Sequence, residues 1–200
     1  MNYTGPKIKL SRKLDLELTP KTNKYKTRKP YPPGQHGSTK RRSKQSDYGR
    51  QLLEKQRLRL QFNLSERQMH KYFTKAARLT GNTGDLLVQL LESRLDSLVY
   101  RAGLARTIYA ARQYVSHGHI NINGKRVNIP SYSVKINDTI SVKPKSRKVD
   151  SFQDAIRSAI PKNYIELSKA DFSAKYIYIP PREEIPVICD VPLVVEYYSR

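Results

Sequence analysis

Apolar positions along the chain follow two rhythms, with the changeover near residue 118. Between residues 46 and 116 they recur at helical spacing. In YGRQLLEKQRLRL, Leu52, Leu53 and Leu60 mark one side while Arg50, Lys55, Arg57 and Arg59 surround the other, and Ser46 or Asp47 can cap the start. Ser65-Glu66-Arg67-Gln68 has the form of a capping box, serine bonding the third helical amide and glutamine reaching back. Behind it Met69, Tyr72, Phe73, Ala76 and Leu79 make a stripe suited to burial. Gly81 stops that helix. Thr83 with Asp85 starts another, in which Leu87, Leu91, Leu95, Leu98 and Ala102 share one face and Gly103 is a natural C-cap. A shorter helix, capped by Thr107, presents Ile108, Ala111 and Val115.

The period then drops to two. Ile120 and Ile122 alternate up to Asn123-Gly124, and Val127 and Ile129 alternate after it, the pattern of a tight β-hairpin. A further strand fits Tyr132 to Val142, with Val134, Ile136, Ile140 and Val142 around an Asn137-Asp138 turn. The expected fold is α+β: a helical domain with an extended basic N-terminal arm, plus a small helix-helix-antiparallel-sheet module of about 60 residues. The arm spans 1–44, the helical domain 45–89 and the module 90–152.

Charge sharpens this outline. The chain carries 38 Lys and Arg against 17 Asp and Glu, a net of +21, with 38% apolar residues. Self-repulsion of that size does not serve stability, and a polyanion, most often nucleic acid, is the economical partner. An anionic membrane surface is the rival. It has little support, because no run approaches the roughly 20 apolar residues of a membrane span and MNYTGPKIKL lacks a signal core. Cys189, the single cysteine, cannot make an intramolecular disulfide and suits a reducing compartment.

Residues 1–60 hold 17 of the cations and only 4 of the acids. The first 44 carry Thr19-Pro20, Lys29-Pro30 and Pro32-Pro33-Gly34 with hardly any apolar period, so the arm is expected to order on its partner. In PPGQHGSTKRRSK, Gly34 and Gly37 permit close backbone approach and Lys40, Arg41, Arg42 and Lys44 supply four cations within five residues. That combination favours a loop pressed onto phosphates. In the module, Arg94 and Arg101 lie two helical turns apart, Arg106 at the turn, Arg112 and Gln113 on the next helix, and Lys125 and Arg126 past the hairpin tip. A groove built this way neutralises several phosphates and reads RNA by shape and backbone.

The pair His117 and His119 invites a metal or catalytic reading. No HExxH, paired cysteines or suitably placed acid accompanies it. His117 instead ends a basic helix beside the groove, where it can stack or bond a phosphate, and His119 leads into the strand. Glu183-Glu184 after Pro180-Pro181-Arg182 reads as a solvated or protein-contacting cluster, and neither a GxxxxGK[ST] loop nor a GxSxG elbow is present. No enzyme, metal, cofactor, small-molecule substrate or membrane role is expected.

The run RLDSLVYRAGLARTIYAARQYVSHGHININGKRVNIPSYSV resembles the RNA-binding module of the small-subunit ribosomal protein four family. GPKIKLSR, PGQHG at 33–37, SDYGRQLLEKQ at 46–56, ERQ at 66–68, GNTG at 81–84 and VVEYYSR at the C-terminus extend the likeness end to end. The resemblance is to bacterial or organellar members. It implies a structural constituent of the small subunit that binds the 5′ domain of 16S-type ribosomal RNA, nucleates assembly of the subunit body and contributes to decoding accuracy with small-subunit proteins five and twelve. The implied location is the ribosome, in the cytoplasm or an organelle matrix. Protein three is an implied neighbour at the messenger RNA entry channel, for which Lys40, Arg41, Arg42 and Lys44 are the candidates. Along the matched motifs it adds Arg12, Lys13, Gln35, His36, Tyr48, Lys55, Arg57 and Arg67 to the RNA-contact candidates already named. It also implies that the C-terminal segment, 153–200, returns to the helical domain and completes it with residues 180–200.

Two departures stand out. Ile108 and Tyr109 occupy the place of a basic pair common in relatives, and no cysteine precedes Cys189 to make the four-cysteine zinc site some relatives carry in the arm. An RNA-modifying enzyme bearing the same module would need a further catalytic domain for which this sequence has no room, and a free-standing RNA-binding regulator leaves the arm and helical section unexplained.

Overall fold

A computed structural model describes residues 3–38 and 46–200, which divide into two compact units, Met1–Leu87 with Val187–Arg200, and Val88–Pro186. The boundaries differ from those expected. Residues 153–186 fold with the small module, and only the last 14 residues join the helical unit.

The first unit is built on α3 (Asp47–Gln61), capped by the Ser46 hydroxyl, which accepts from the Gly49 amide at 3.2 Å. After a tight turn through Asn63, at φ 50°, α4 (Glu66–Ala77) starts in the expected capping box of Ser65 and Gln68. Met69 and Ala76 of its stripe are buried, but Leu79 lies past the helix end and is exposed. The arm is where expectation fails. Instead of running extended it forms α1 (Lys7–Leu14) and α2 (Pro20–Arg28). Thr19-Pro20 is a helix start, not loop punctuation: Thr19 and Thr22 form a capping box with proline at the first helical position. Leu14, Leu16 and Leu18 alternate at strand spacing, yet Leu14 ends α1, the other two lie between the helices, and all three are buried.

The C-terminal helix α9 (Val191–Tyr198; the intervening helices are described below) lies against α3 and α4. Gln51 donates to Glu196 at 2.8 Å, the Asp190 amide donates to Glu54 at 3.0 Å, and the Tyr198 hydroxyl donates to Glu66 at 2.7 Å. Polar groups of α3 are therefore buried against α9, while Leu52 and Leu53 are only half-buried. With Leu10, Leu14 and Lys13 of α1 they line a groove of about 430 Å³.

In the second unit the single helix expected over 83–102 is two, α5 (Thr83–Glu92), which begins in the first unit, and α6 (Leu95–Arg101). The break has a backbone cause. Ser93 and Arg94 are claimed by the 130–134 segment: the Val134 amide donates to Ser93 O at 2.9 Å, Leu95 donates to Tyr132 O at 2.9 Å, and Arg94 bridges Ser133. Helix α7 (Ile108–Ser116) starts where Thr107 accepts from the Ala110 amide and ends before Gly118, at φ 71°.

Beyond it β1 (Ile120–Ile122) and β2 (Lys125–Arg126) form the expected hairpin. The strand expected from Tyr132 is shorter, β3 (Thr139–Val142), because Asn137, at φ 70°, and Asp138 make a turn before it. Helix α8 (Asp150–Arg157) and strands β4 (Ile165–Ser168) and β5 (Ser173–Tyr176) complete the unit. The sheet is antiparallel throughout, ordered β2-β1-β3-β5-β4, and Ile120↔Val142, Ile140↔Ala174 and Leu167↔Ala174 fix its register. Its core-facing residues meet Leu98, Val99, Ala111, Val115 and Phe152 from the helices.

Candidate nucleic-acid interface

The arginines expected to line the RNA groove of the module divide sharply. Arg94, 1% exposed, caps α6 and forks onto Asp96, 0% exposed, with Nε–Oδ1 2.9 Å and Nη2–Oδ2 2.6 Å. Arg112 of α7 approaches the same carboxylate at 3.5 Å and the Ser97 amide donates to it at 3.0 Å. Burial raises the Asp96 pKa, opposed by Arg94 first and then Arg112. Arg101 bonds Glu92, itself 0% exposed, at 2.8 Å, and Glu92 also accepts from the Tyr164 hydroxyl at 2.7 Å. Burial works against the charge on Arg101, but Glu92 outweighs it and the pKa is raised. The same burial, with Glu92 adding to it, pushes Tyr164 up, and Tyr176 up to about 12. Arg94, Arg101 and Arg112 are thus scaffold, not groove: a charge out of water needs a paired carboxylate, and here it has one.

The remaining module candidates face solvent. Arg106 keeps a loose pair with Asp154 at 3.3 Å, both well exposed. Gln113 and His117, on and at the end of α7, are exposed, as are Lys125 and Arg126 of β2. Lys125 and Arg126 have no carboxylate partner among the described residues. His119 is half-buried between Tyr114 and Phe152, with Nδ1 2.9 Å from the Ser146 hydroxyl. Burial lowers its pKa, and His117, Lys143 and Arg126 lower it further. Among the described residues no group of three or more His, Cys, Asp or Glu could hold a metal ion, and no helix is long and apolar enough to cross a membrane.

In the first unit several candidates turn inward. Arg12 donates to the carbonyls of Lys29 and Tyr31 and lies over the Tyr31 ring at 5.0 Å, so it fastens α1 to the segment after α2. Lys55, 5% exposed, pairs with Glu66 at 3.0 Å and sits 4.6 Å over the Tyr197 ring. Arg57 pairs with Glu54 and donates to Leu14 O at 2.9 Å. All three are engaged within the fold, by carbonyls, by acids of α3 and α4 and by the Tyr31 and Tyr197 rings, where the resemblance had implied RNA contacts.

Lys13, Gln35, His36, Tyr48 and Arg67 are exposed. Gly34 stands at φ 111° with open space beside it, whereas Gly37 is close to backbone of its own chain: a Cβ there would collide with the Pro32 carbonyl oxygen. PGQHG is therefore a self-packed turn with one open glycine. Lys40, Arg41, Arg42 and Lys44 lie outside the described residues. Sequence reasoning missed the buried acids Glu92 and Asp96, although ESRLD shows both beside arginine, and it passed over the cationic run KPKSRK at 143–148.

A helix pair on an antiparallel sheet, with cations left outward at the hairpin, is the architecture of an S4-type RNA-binding domain, and a protein-family model described as S4 domain matches residues 93–140. A second, described as Ribosomal protein S4/S9 N-terminal domain, matches residues 2–92. The chain is 47% identical over 204 residues to the small ribosomal subunit protein uS4 of Streptomyces avermitilis, covering 100% of this chain and 99% of that one. Against the uS4 of Thermobifida fusca the identity is 45% over 204 residues, with both chains wholly covered. With that of Geobacillus stearothermophilus it is 48% over 200 residues, 99% of this chain and 98% of the other. This chain belongs to the small ribosomal subunit protein uS4 family, a family of ribosomal structural proteins and not of enzymes.

Proposed function

We propose that the protein works in the cytoplasmic ribosome as a primary binder of small-subunit ribosomal RNA, attaching to its 5′ domain early, nucleating assembly of the subunit body and contributing to decoding accuracy beside small-subunit proteins five and twelve. The observation that carries the reading is the outward set Arg106, Gln113, His117, Lys125 and Arg126 on a module matched by the S4 domain model, within a chain of net charge +21. Side chains cannot reach base edges in the deep groove of duplex RNA, so such a surface recognises backbone and junction shape. Lys13, Gln35, His36, Tyr48 and Arg67 are the first unit's proposed contacts. Lys40, Arg41, Arg42 and Lys44 remain the proposed lining of the messenger RNA entry channel, near protein three.

The test is equilibrium binding of the full chain to a folded 5′-domain fragment across a salt series. Neutralising several phosphates at once makes log K fall linearly with log salt, by about 0.7–0.9 per phosphate. A steep line is expected; a flat one would sink the reading.

A further inference from the structure

A group of cations without an ion-pair partner among the described residues lies at the hinge between α7 and the sheet. Helix α7 ends at His117, and Gly118 turns the chain in the left-handed region. The Arg126 guanidinium lies directly over that glycine, where any Cβ would strike it, so the hairpin's outer cation is laid against the helix end. From the other side the 143–148 turn is fastened to the same hinge. The Lys143 amide donates to His119 O at 2.9 Å, and Ser146, fixed in a short 3-10 turn opened by Pro144, meets His119 Nδ1 at 2.9 Å. The half-buried Arg147 donates to Val142 O at 3.2 Å and closes the turn on the end of β3. Lys145 and Lys148 are exposed and Lys143 half so.

None of Lys143, Lys145, Lys148 or Arg126 has a carboxylate within ion-pair distance among the described residues. In this they differ from Arg94, Arg101, Arg106 and Arg112, each of which has one. Arg126, on β2, and Lys143, just past β3, flank β1 from its two neighbours in the sheet, and the charges of both reach His119. Two of these cations flank the hinge and two more stand on the turn that is hydrogen-bonded to it, a concentration of one sign that favours an anion.

We propose that His117, Arg126, Lys143, Lys145 and Lys148 form a phosphate-binding surface for an RNA backbone strand, with the 143–148 turn as its second wall. The proposal rests on the ribosomal RNA reading above and moves the module's main electrostatic contact away from the α5–α7 arginines. The anchoring of the turn through Ser146 and the Lys143 amide fixes its backbone in advance, so little backbone freedom of the turn is lost on binding.

The experiment compares the full chain with the triple variant Lys143→Gln/Lys145→Gln/Lys148→Gln on the folded 5′-domain RNA fragment across a potassium chloride series. The triple variant is expected to keep the wild-type thermal midpoint, to bind at least tenfold more weakly near 0.1 M salt, on the order expected for lost phosphate contacts, and to lower the log-log slope by about 2–3. Lys145→Gln alone, a change at an exposed and unbonded side chain, is expected to lower the slope by about 1 and carries the test if the triple variant folds poorly. A steep wild-type line with variants that match it overturns this surface and leaves the RNA reading standing, and points to an acidic protein segment in its place. A flat wild-type line overturns both.

Discussion

Arg94, Arg101 and Arg112 carry the same charge as Arg126, Lys143 and Lys145, yet the two groups have opposite fates. The first sits where α5, α6 and α7 converge, and two carboxylates of 0% exposure, Glu92 and Asp96, hold it there. The second sits at the hinge and turn, where backbone bonds position the chain but no acid among the described residues lies within ion-pair distance. The lesson is that cationic residue type does not locate an anion-binding face. A buried acid beside it decides.

The difference can be broken most sharply at Asp96. Asp96→Ala removes the carboxylate onto which buried Arg94 forks, and loss of one member of a buried pair costs about 3–5 kcal/mol. Denaturant unfolding measures it, and a loss below about 1 kcal/mol would place Arg94 with the solvent-facing cations. Arg101→Met is a milder challenge. It leaves buried Glu92 bonded to Tyr164 alone, for an expected cost of about 1–3 kcal/mol. RNA affinity of the folded fraction should stay within about twofold of wild type, because a side chain bonded to a buried acid is turned away from solvent and from phosphate. Equal losses in stability and in salt slope would instead make Arg101 a member of both groups.

The smallest effect belongs to His119. Its pKa is lowered in the fold by burial and then by His117, Lys143 and Arg126, with the Tyr114 and Phe152 rings packed beside it. The unfolded chain therefore takes up a proton first, near the ordinary histidine value of 6.5. The stabilising contribution of neutral His119 is present above that pH and is lost as pH falls below it. Thermal midpoints from pH 8 to pH 5 should drop on the acid side, and less steeply in His119→Gln. Parallel curves would remove the hinge imidazole from the account.

Much of the local structure was legible because local chemistry set it. Ser46, Ser65 and Thr107 cap the helices they announce, and Asn123-Gly124 turns the hairpin with both residues at positive φ. What was not legible depended on distant partners. The break at Ser93–Arg94 exists because residues 130–134 take its backbone groups, which no helical period in LLVQLLESRLDSLV reveals. Strands β4 and β5 are joined by a turn through Phe172, at φ 52°, tied by Ser168 to Asp171, and no glycine or proline marks it in the sequence. At the site, the exposed set Arg106, Gln113, His117, Lys125 and Arg126 was read from spacing, while the inward turn of Arg12, Lys55, Arg57, Arg94, Arg101 and Arg112 required knowing which acid or carbonyl came near. The helical arm escaped notice because Leu14, Leu16 and Leu18 alternate at strand spacing while α2 is almost wholly polar.

The two units also differ in how the chain is threaded through them. Residues 88–186 are contiguous, whereas the other unit waits for 187–200. On a growing chain that order matters. Every strand of the sheet is synthesised before the residues that pair with Gln51 and Glu54, so the module can close while α3 still presents those polar groups to water. Release of the last helix then becomes the step that finishes the older half of the chain, and a truncated product ending near residue 186 would carry a finished module on an unfinished base.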